Sequence, residues 1–148
     1  MPPRFVHRHL PYLLARASHA LWRGFEPQLR AAGINSLEWR ILATLSDSPP
    51  LAVGRLALEV LAKQPTVTKT LDRLEAQGWL QRVADDRDGR RAQVQLTPQG
   101  QHKVAPLLQA AQAHERERLR ALGVPEAEQA GLQDWLLALL QRHDQSPT

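Results

Sequence analysis

The sequence predicts a mainly α-helical fold with one small β-hairpin. Three observations predict it. Apolar residues recur at helical spacing through most of the chain, Ser, Thr, Pro and Gly punctuate the ends of those runs, and after Gly78 the period changes to that of short strands. The predicted order is helix, helix, helix-turn-helix, hairpin, helix, helix.

The first helix is expected over residues 11–32. Proline at its first turn is harmless, because that N–H has no partner in any case. Leu10, Leu14, Ala17, Leu21, Phe25 and Leu29 make one apolar face; Pro27 should bend or break the helix, and Gly33 should end it. Ser36 reads as the N-cap of a second helix carrying Leu37, Ile41, Leu42 and Leu45, which Asp47-Ser48-Pro49-Pro50 stops. A short helix is expected over 52–61, with Val53, Leu56, Ala57 and Val60 inward. Ala62-Lys63-Gln64 forms a gap, and another helix runs over 65–77 to its C-cap, Gly78. Trp79, Leu80, Val83, Val94 and Leu96 then read as two strands flanking the charged tip Asp85-Asp86-Arg87-Asp88-Gly89-Arg90-Arg91. Thr97 caps and Pro98 opens the next helix, expected to reach residue 122 with a kink at Pro106 and to close at Gly123. The last helix, about 125–143, carries Leu132, Trp135, Leu136, Leu139 and Leu140 as one seam.

Length and composition narrow the function. The chain has 148 residues, 43% hydrophobic and 23% charged, which is ordinary for one globular domain with appendages. Nineteen basic residues face 15 acidic ones, a net charge of +4, and 16 of the 19 are Arg. That balance leans towards a polyanionic partner. Cysteine is absent, which excludes disulfides, thiolate catalysis and a thiol redox switch. No apolar run reaches the roughly 18 residues that span a bilayer, and Met1-Pro2-Pro3-Arg4-Phe5 opens no signal peptide, so a cytoplasmic location and no membrane partner are expected. No His, Asp or Glu set has metal-ligand spacing, and there is no phosphate-cradling Gly-rich loop and no nucleophile elbow. No metal, cofactor or catalytic residue is therefore expected. The terminal helices carry wider apolar faces than a small middle lobe can cover, which implies a homodimer.

On a helical wheel of residues 65–77, Val67, Leu71 and Leu74 fall on one side. Thr66, Lys69, Thr70, Arg73 and Gln77 fall together on another, and Gln64 and Thr68 are further candidates for DNA contact. That stripe holds hydroxyls, amides and cations but no carboxylate, the chemistry that phosphates and base edges in a DNA major groove require. The preceding short helix would be the first arm of a helix-turn-helix. An ordinary solvated helix face also looks like this. The hairpin separates the two readings, because it sets Arg87, Arg90 and Arg91 at the tip of a wing, where arginine suits a narrow minor groove. Asp85, Asp86 and Asp88 are expected to brace the guanidinium of Arg73 or Arg90 rather than to face DNA.

The chain resembles the MarR family of transcriptional regulators. The resemblance is carried by Leu37-Glu38-Trp39-Arg40-Ile41-Leu42, by Leu56-Ala57, by residues 66–75 (Thr-Val-Thr-Lys-Thr-Leu-Asp-Arg-Leu-Glu) followed by Gly78-Trp79-Leu80, by Asp88-Gly89-Arg90, and by Leu96-Thr97-Pro98-Gln99-Gly100. It covers residues 10–143 and implies a winged helix-turn-helix lobe, residues 35–97, and a helical dimerisation lobe, residues 1–34 and 98–148. Each winged lobe would face half of a palindromic double-stranded operator. Arg90 would enter the minor groove, Asp88 would hold it and Arg73 in place, and Lys69 and Arg73 would lie on the recognition helix. Two departures stand out. Leu61 occupies a position where the family often has Gly, which implies another turn conformation. Pro65 stands where a Ser or Asp cap is common, which implies the loss of one backbone phosphate contact.

The resemblance also implies release of a repressor by a small aromatic or carboxylated effector. The residues available for it are His9, Tyr12, Arg16, His19, Trp39 and Arg40. Arg16 would bind a carboxylate, His9 or His19 a phenol, and Trp39 a ring. The same six residues are equally suited to bonding one another at a lobe junction. Two other functions compete: a winged-helix module for protein–protein assembly without DNA binding, and an enzyme using His9, Tyr12 and Arg16. The basic wing speaks against the first, and the lack of any paired base and nucleophile against the second.

Overall fold

The computed structural model describes residues 1–85, 87 and 92–146. After a 3₁₀ turn at Phe5–His7 come α1 (Leu10–Trp22), α2 (Glu26–Ala31), α3 (Ser36–Leu45), β1 (Leu51–Ala52), α4 (Val53–Glu59), α5 (Gln64–Ala76), β2 (Leu80–Ala84), β3 (Ala92–Leu96), α6 (Pro98–Ala121) and α7 (Glu126–Gln145). The class is the expected one, mainly α with a small antiparallel sheet.

Two compact units divide the chain, residues 22–112 and residues 1–21 with 113–148. The larger unit is wider than the expected lobe of 35–97. The reason is burial: Phe25, Leu29 and Ile34 before it, and Val104 and Leu107 after it, belong to the same hydrophobic core as Ile41, Leu42, Leu56, Val67, Leu71, Leu74, Leu80 and Val94. The smaller unit buries no side chain fully among its described residues. Within it, His114 Nε2 and Arg118 Nη2 of α6 bond the carbonyls of Leu21 and Ala20, at 3.1 and 2.9 Å, and so occupy acceptors at the C-terminal end of α1.

Several boundaries differ from expectation for local reasons. The first helix is broken at Arg23–Phe25, not at Pro27. Gly24 takes φ +95°, a value that L side chains rarely adopt, while Pro27 sits harmlessly in the first turn of α2. The cap of α3 is Asn35 rather than Ser36. Its side chain accepts from Glu38 N at 2.9 Å and the Glu38 side chain accepts from Asn35 N at 3.0 Å, a complete capping box. The helix of α6 runs through Pro106.

A strand that patterning did not reveal, β1, joins the hairpin, and the sheet order is β1-β3-β2. Leu51 lies opposite Val94 on β3, and β2 pairs β3 from Leu80↔Leu96 to Ala84↔Ala92. Two residues are too few for a period, so β1 is visible only through its ladder. At the foot of the hairpin Thr97 caps α6 as expected. Its hydroxyl donates to Gly78 O and accepts from Gly100 N, while Thr97 N donates to Trp79 O at 3.1 Å. A Cβ on Gly100 would stand 1.8 Å from that same Trp79 carbonyl oxygen, so the approach of α6 to the sheet requires glycine there. No helix among the described residues is long and apolar enough to cross a membrane.

Candidate nucleic-acid interface

Helix α5 is held down by its apolar side. Val67, Leu71 and Leu74 are fully buried, each losing contact with water and gaining close packing. The rest of its surface is open: Gln64, Thr66, Thr68, Lys69, Arg73 and Gln77 are all exposed, with Thr66, Lys69, Arg73 and Gln77 along one face. Thr70 is not part of that surface. It is 5% exposed, and its hydroxyl donates to Thr66 O at 2.9 Å, so it is withdrawn from the stripe in which the sequence had placed it. Wheel position alone could not show this, because Thr70 lies at the edge between the two faces and its hydroxyl has an acceptor one turn back. At the start of α5, Lys63 is the N-cap without a side-chain hydrogen bond, and Pro65 in the first turn brings no N–H.

The turn into α5 keeps the geometry that Gly would give. Leu61 takes φ +58°, the left-handed region, and is 85% exposed. The expectation of another conformation is corrected. The surrounding contacts force the bend, and leucine adopts it at a local cost of about 1 kcal/mol. Ala62 N donates to Ala57 O at 3.1 Å and Val60 N to Leu56 O at 2.9 Å, which closes the end of α4. Arg40 adds to that closure from α3: its Nε donates to Val60 O at 2.9 Å and its Nη1 to Ser36 Oγ at 3.1 Å.

Two carboxylate systems border the open face. On α3, Glu38 is 5% exposed, and its Oε1 stands 2.8 Å from Arg73 Nη2. Glu38 thus braces Arg73, while the brace expected from Asp86 and Asp88 lies outside the described residues. On the other side of α5, Asp72 and Glu75 both hold Arg82 of β2, each at 2.7 Å, and Glu75 Oε2 also accepts from Arg82 N at 3.1 Å. Burial lowers the Arg82 pKa, but the hydrogen bond and charge of Asp72, with those of Glu75, outweigh it, and the net shift is upward. A group raised in the folded state stabilises the fold at every pH below its unfolded value, so Arg82 ties β2 to α5 across the whole neutral and acidic range in which the carboxylates are charged. Both acidic side chains of α5 are thereby paired with the hairpin, although both remain exposed.

At the hairpin tip, Arg87 is exposed, and its N–H donates to Asp85 Oδ1 at 2.9 Å, a local turn contact. The expected roles of Asp88, Arg90 and Arg91, with Asp86 and Gly89, lie outside the described residues.

The six expected effector residues divide between the two units. On α1, Arg16 Nη1 donates to the Tyr12 hydroxyl at 3.1 Å, and just before it His9 stacks on Phe5 with ring centroids 5.0 Å apart; His9, Arg16 and His19 are exposed. In the larger unit, Trp39 is 8% exposed and packs edge-on to Phe25 and stacked on Trp22, so its ring faces are committed to the core. Arg40 is engaged at the helix-turn-helix turn. Among the described residues no group of three His, Asp or Glu is placed to hold a metal ion.

Sequence reasoning missed Glu38 and Arg82 as parts of the interface. The first had a signal, since Asn35 followed by Glu38 is a capping-box pattern that the choice of Ser36 concealed. Arg82 had none, because its partners are seven and ten residues away on another element.

The family model described as MarR family matches residues 32–91. The HTH-type transcriptional regulator FarR of Neisseria gonorrhoeae is 33% identical over 101 residues, which cover 68% of this chain and 69% of FarR. A MarR family transcriptional regulator of Silicibacter pomeroyi DSS-3 superposes with a TM-score of 0.78 at 36% identity, covering 93% of this chain and 99% of that one. NadR, solved in complex with 4-hydroxyphenylacetate, superposes with a TM-score of 0.78 at 28% identity, over 94% of this chain and 97% of NadR. With its helix-turn-helix, its three-stranded sheet and these relatives, the chain belongs to the MarR family of transcriptional regulators.

Proposed function

We infer that this chain is a sequence-specific DNA-binding repressor that works as a homodimer on a palindromic operator and is released by a small aromatic or carboxylated effector. The observation that carries the reading is the exposed face of α5, where Thr66, Lys69, Arg73 and Gln77 stand open while Asp72 and Glu75 are held by Arg82. A basic, carboxylate-free helix face beside a two-stranded wing matches a groove lined by phosphates and base edges. The assembly-module reading loses its ground, since the relatives are transcriptional regulators.

The dimer is supported by the smaller unit, which exposes Leu10, Leu13, Leu122, Leu132, Trp135, Leu137, Leu139 and Leu140. A two-fold dimer would set two α5 helices on one face of a duplex, and an operator so occupied is closed to transcription. The regulator acts by binding, not by catalysis, and in the cytoplasm. For the effector, the pair Tyr12–Arg16 with His19 on α1, and His9 just before it, offers a cation, a phenol and imidazoles to a phenolic acid. NadR, a structural relative, was solved with such a compound. The ligand would act by favouring a dimer geometry that no longer matches the half-sites.

Titration of the purified protein against the DNA upstream of its own gene tests the reading. We expect preferential binding that weakens steeply with salt, and a loss of about 1–3 kcal/mol for Arg73→Ala. Equal affinity for upstream and scrambled DNA would reject it.

A further inference from the structure

We propose that Glu38 is a positioning residue for DNA recognition: its carboxylate orients Arg73 on α5 and so sets how well the protein discriminates its operator from other DNA. The proposal rests on the reading of α5 as the DNA-facing helix. It starts from a chemical excess. The capping box of α3 needs an acceptor at residue 38 for Asn35 N, and Glu38 Oε2 supplies it at 3.0 Å. A glutamine at this position completes a capping box equally well. The helix N-terminus favours a negative charge there only weakly, and burying a charge that is 5% exposed is unfavourable unless the charge is also paired. The pairing is with Arg73, whose Nη2 lies 2.8 Å from Oε1.

One carboxylate oxygen is thus fixed by the backbone of α3, and the other reaches across to the recognition helix. A buried, doubly anchored acceptor is a rigid reference point. The guanidinium of Arg73 is planar and carries five N–H donors. Holding one nitrogen restricts the swing of the group and leaves the remaining donors for an external acceptor. Without that anchor Arg73 has room to swing. Its side chain is 54% exposed, and it borders an open concavity of about 380 Å³ shared with Arg30, Asn35 and Gln77. An arginine that swings still attracts phosphates, but it must be ordered at the moment of binding before it can read a particular groove position. The expected signature is specific: Glu38 governs discrimination, while charge-driven, sequence-independent affinity does not depend on it.

Glu38→Gln in this chain is the test, because it keeps the capping acceptor and removes the charge together with the acceptor that Arg73 uses, leaving an amide NH₂ in its place. Binding is measured to the upstream DNA of the gene and to a scrambled duplex of equal length, with thermal unfolding recorded alongside. The order of the Arg73 side chain is read from its Nε–H signal by NMR in the free protein. We expect a nearly unchanged melting temperature, a less ordered Arg73 signal, and a discrimination ratio lowered about five- to tenfold through weaker binding to the upstream DNA alone. A loss on both DNAs together with a lower melting temperature would make Glu38 merely structural and overturn the proposal. So would an unchanged ratio, or an Arg73 signal as ordered as in the wild type. Should the wild type itself not prefer the upstream DNA, the DNA-binding reading falls, and the proposal falls with it for a reason visible in the wild type alone.

Discussion

Residues 22–112 and the unit formed by residues 1–21 and 113–146 are both mainly helical, yet they use their apolar residues in opposite ways. Every buried hydrophobic residue among those described, from Phe25 to Leu107, lies in the first region. The second has long helices and none of its described residues is buried. Helix α7 makes the contrast plain. Its Leu132, Trp135, Leu139 and Leu140 recur with a helical period, as Val67, Leu71 and Leu74 of α5 do, but they remain exposed in a single chain. Periodicity shows that a helix has an apolar face; it does not show whether the same chain or a second copy covers it. The first region is stabilised from within. The second is expected to be completed by association.

The largest effect should come from attacking the internally packed region at its tightest contact. Gly100→Ala places a methyl group against the backbone carbonyl of Trp79, which cannot move without breaking the bond from Thr97 N. We expect a loss of about 3 kcal/mol or more, seen as a melting temperature lowered to the same extent at every protein concentration. A wild-type melting curve would show that α6 can shift, and the two regions would then be less different in rigidity than they look.

The next effect sharpens the contrast from the other side. Trp135→Ala combined with Leu139→Ala removes side chains that are exposed in one chain, so a monomer should lose little. A dimer seamed by them should weaken by about 2 kcal/mol or more, roughly thirtyfold in dissociation constant. Sedimentation velocity over a dilution series measures this, and the melting temperature of the variant should become more concentration-dependent. An unchanged dissociation constant would remove α7 from the interface.

The smallest effect lies inside the first region, where the chain tolerates a local misfit. Leu61→Gly should relieve the left-handed turn before α5, offset in part by the greater freedom of glycine in the unfolded chain. The expected gain is about 0.5–1 kcal/mol, read as a higher urea midpoint at unchanged slope. A lower midpoint would mean that the exposed leucine contributes contacts in the assembled protein.

Much of the fold was legible because it is local. Pro98 after Thr97, Gly78 after the α5 run and the strand pattern around Val94 and Leu96 each specify their element by chemistry contained in a few residues. The exposed set Gln64, Thr66, Thr68, Lys69, Arg73 and Gln77 was legible for the same reason, since one helix carries it. The misses have a common cause. Gly24 and Pro27 compete to break one helix, and the outcome depends on how Phe25 and Leu29 enter the core. Thr70 sits at the edge of two faces, Trp39 looked available until Trp22 and Phe25 closed on it, and Arg40 turned out to secure the end of α4.

The sequence by itself determined the mainly helical class, the order of elements and the basic, carboxylate-free face of α5. These follow from periodicity, caps and charge, which act over one or two helical turns. Only the tertiary structure decided that β1 completes the sheet, that Arg82 holds Asp72 and Glu75, and that Glu38 reaches Arg73 from another helix. Each of these is a contact between residues far apart in the chain, and such a contact exists only once packing of the apolar faces has set the distance between the elements.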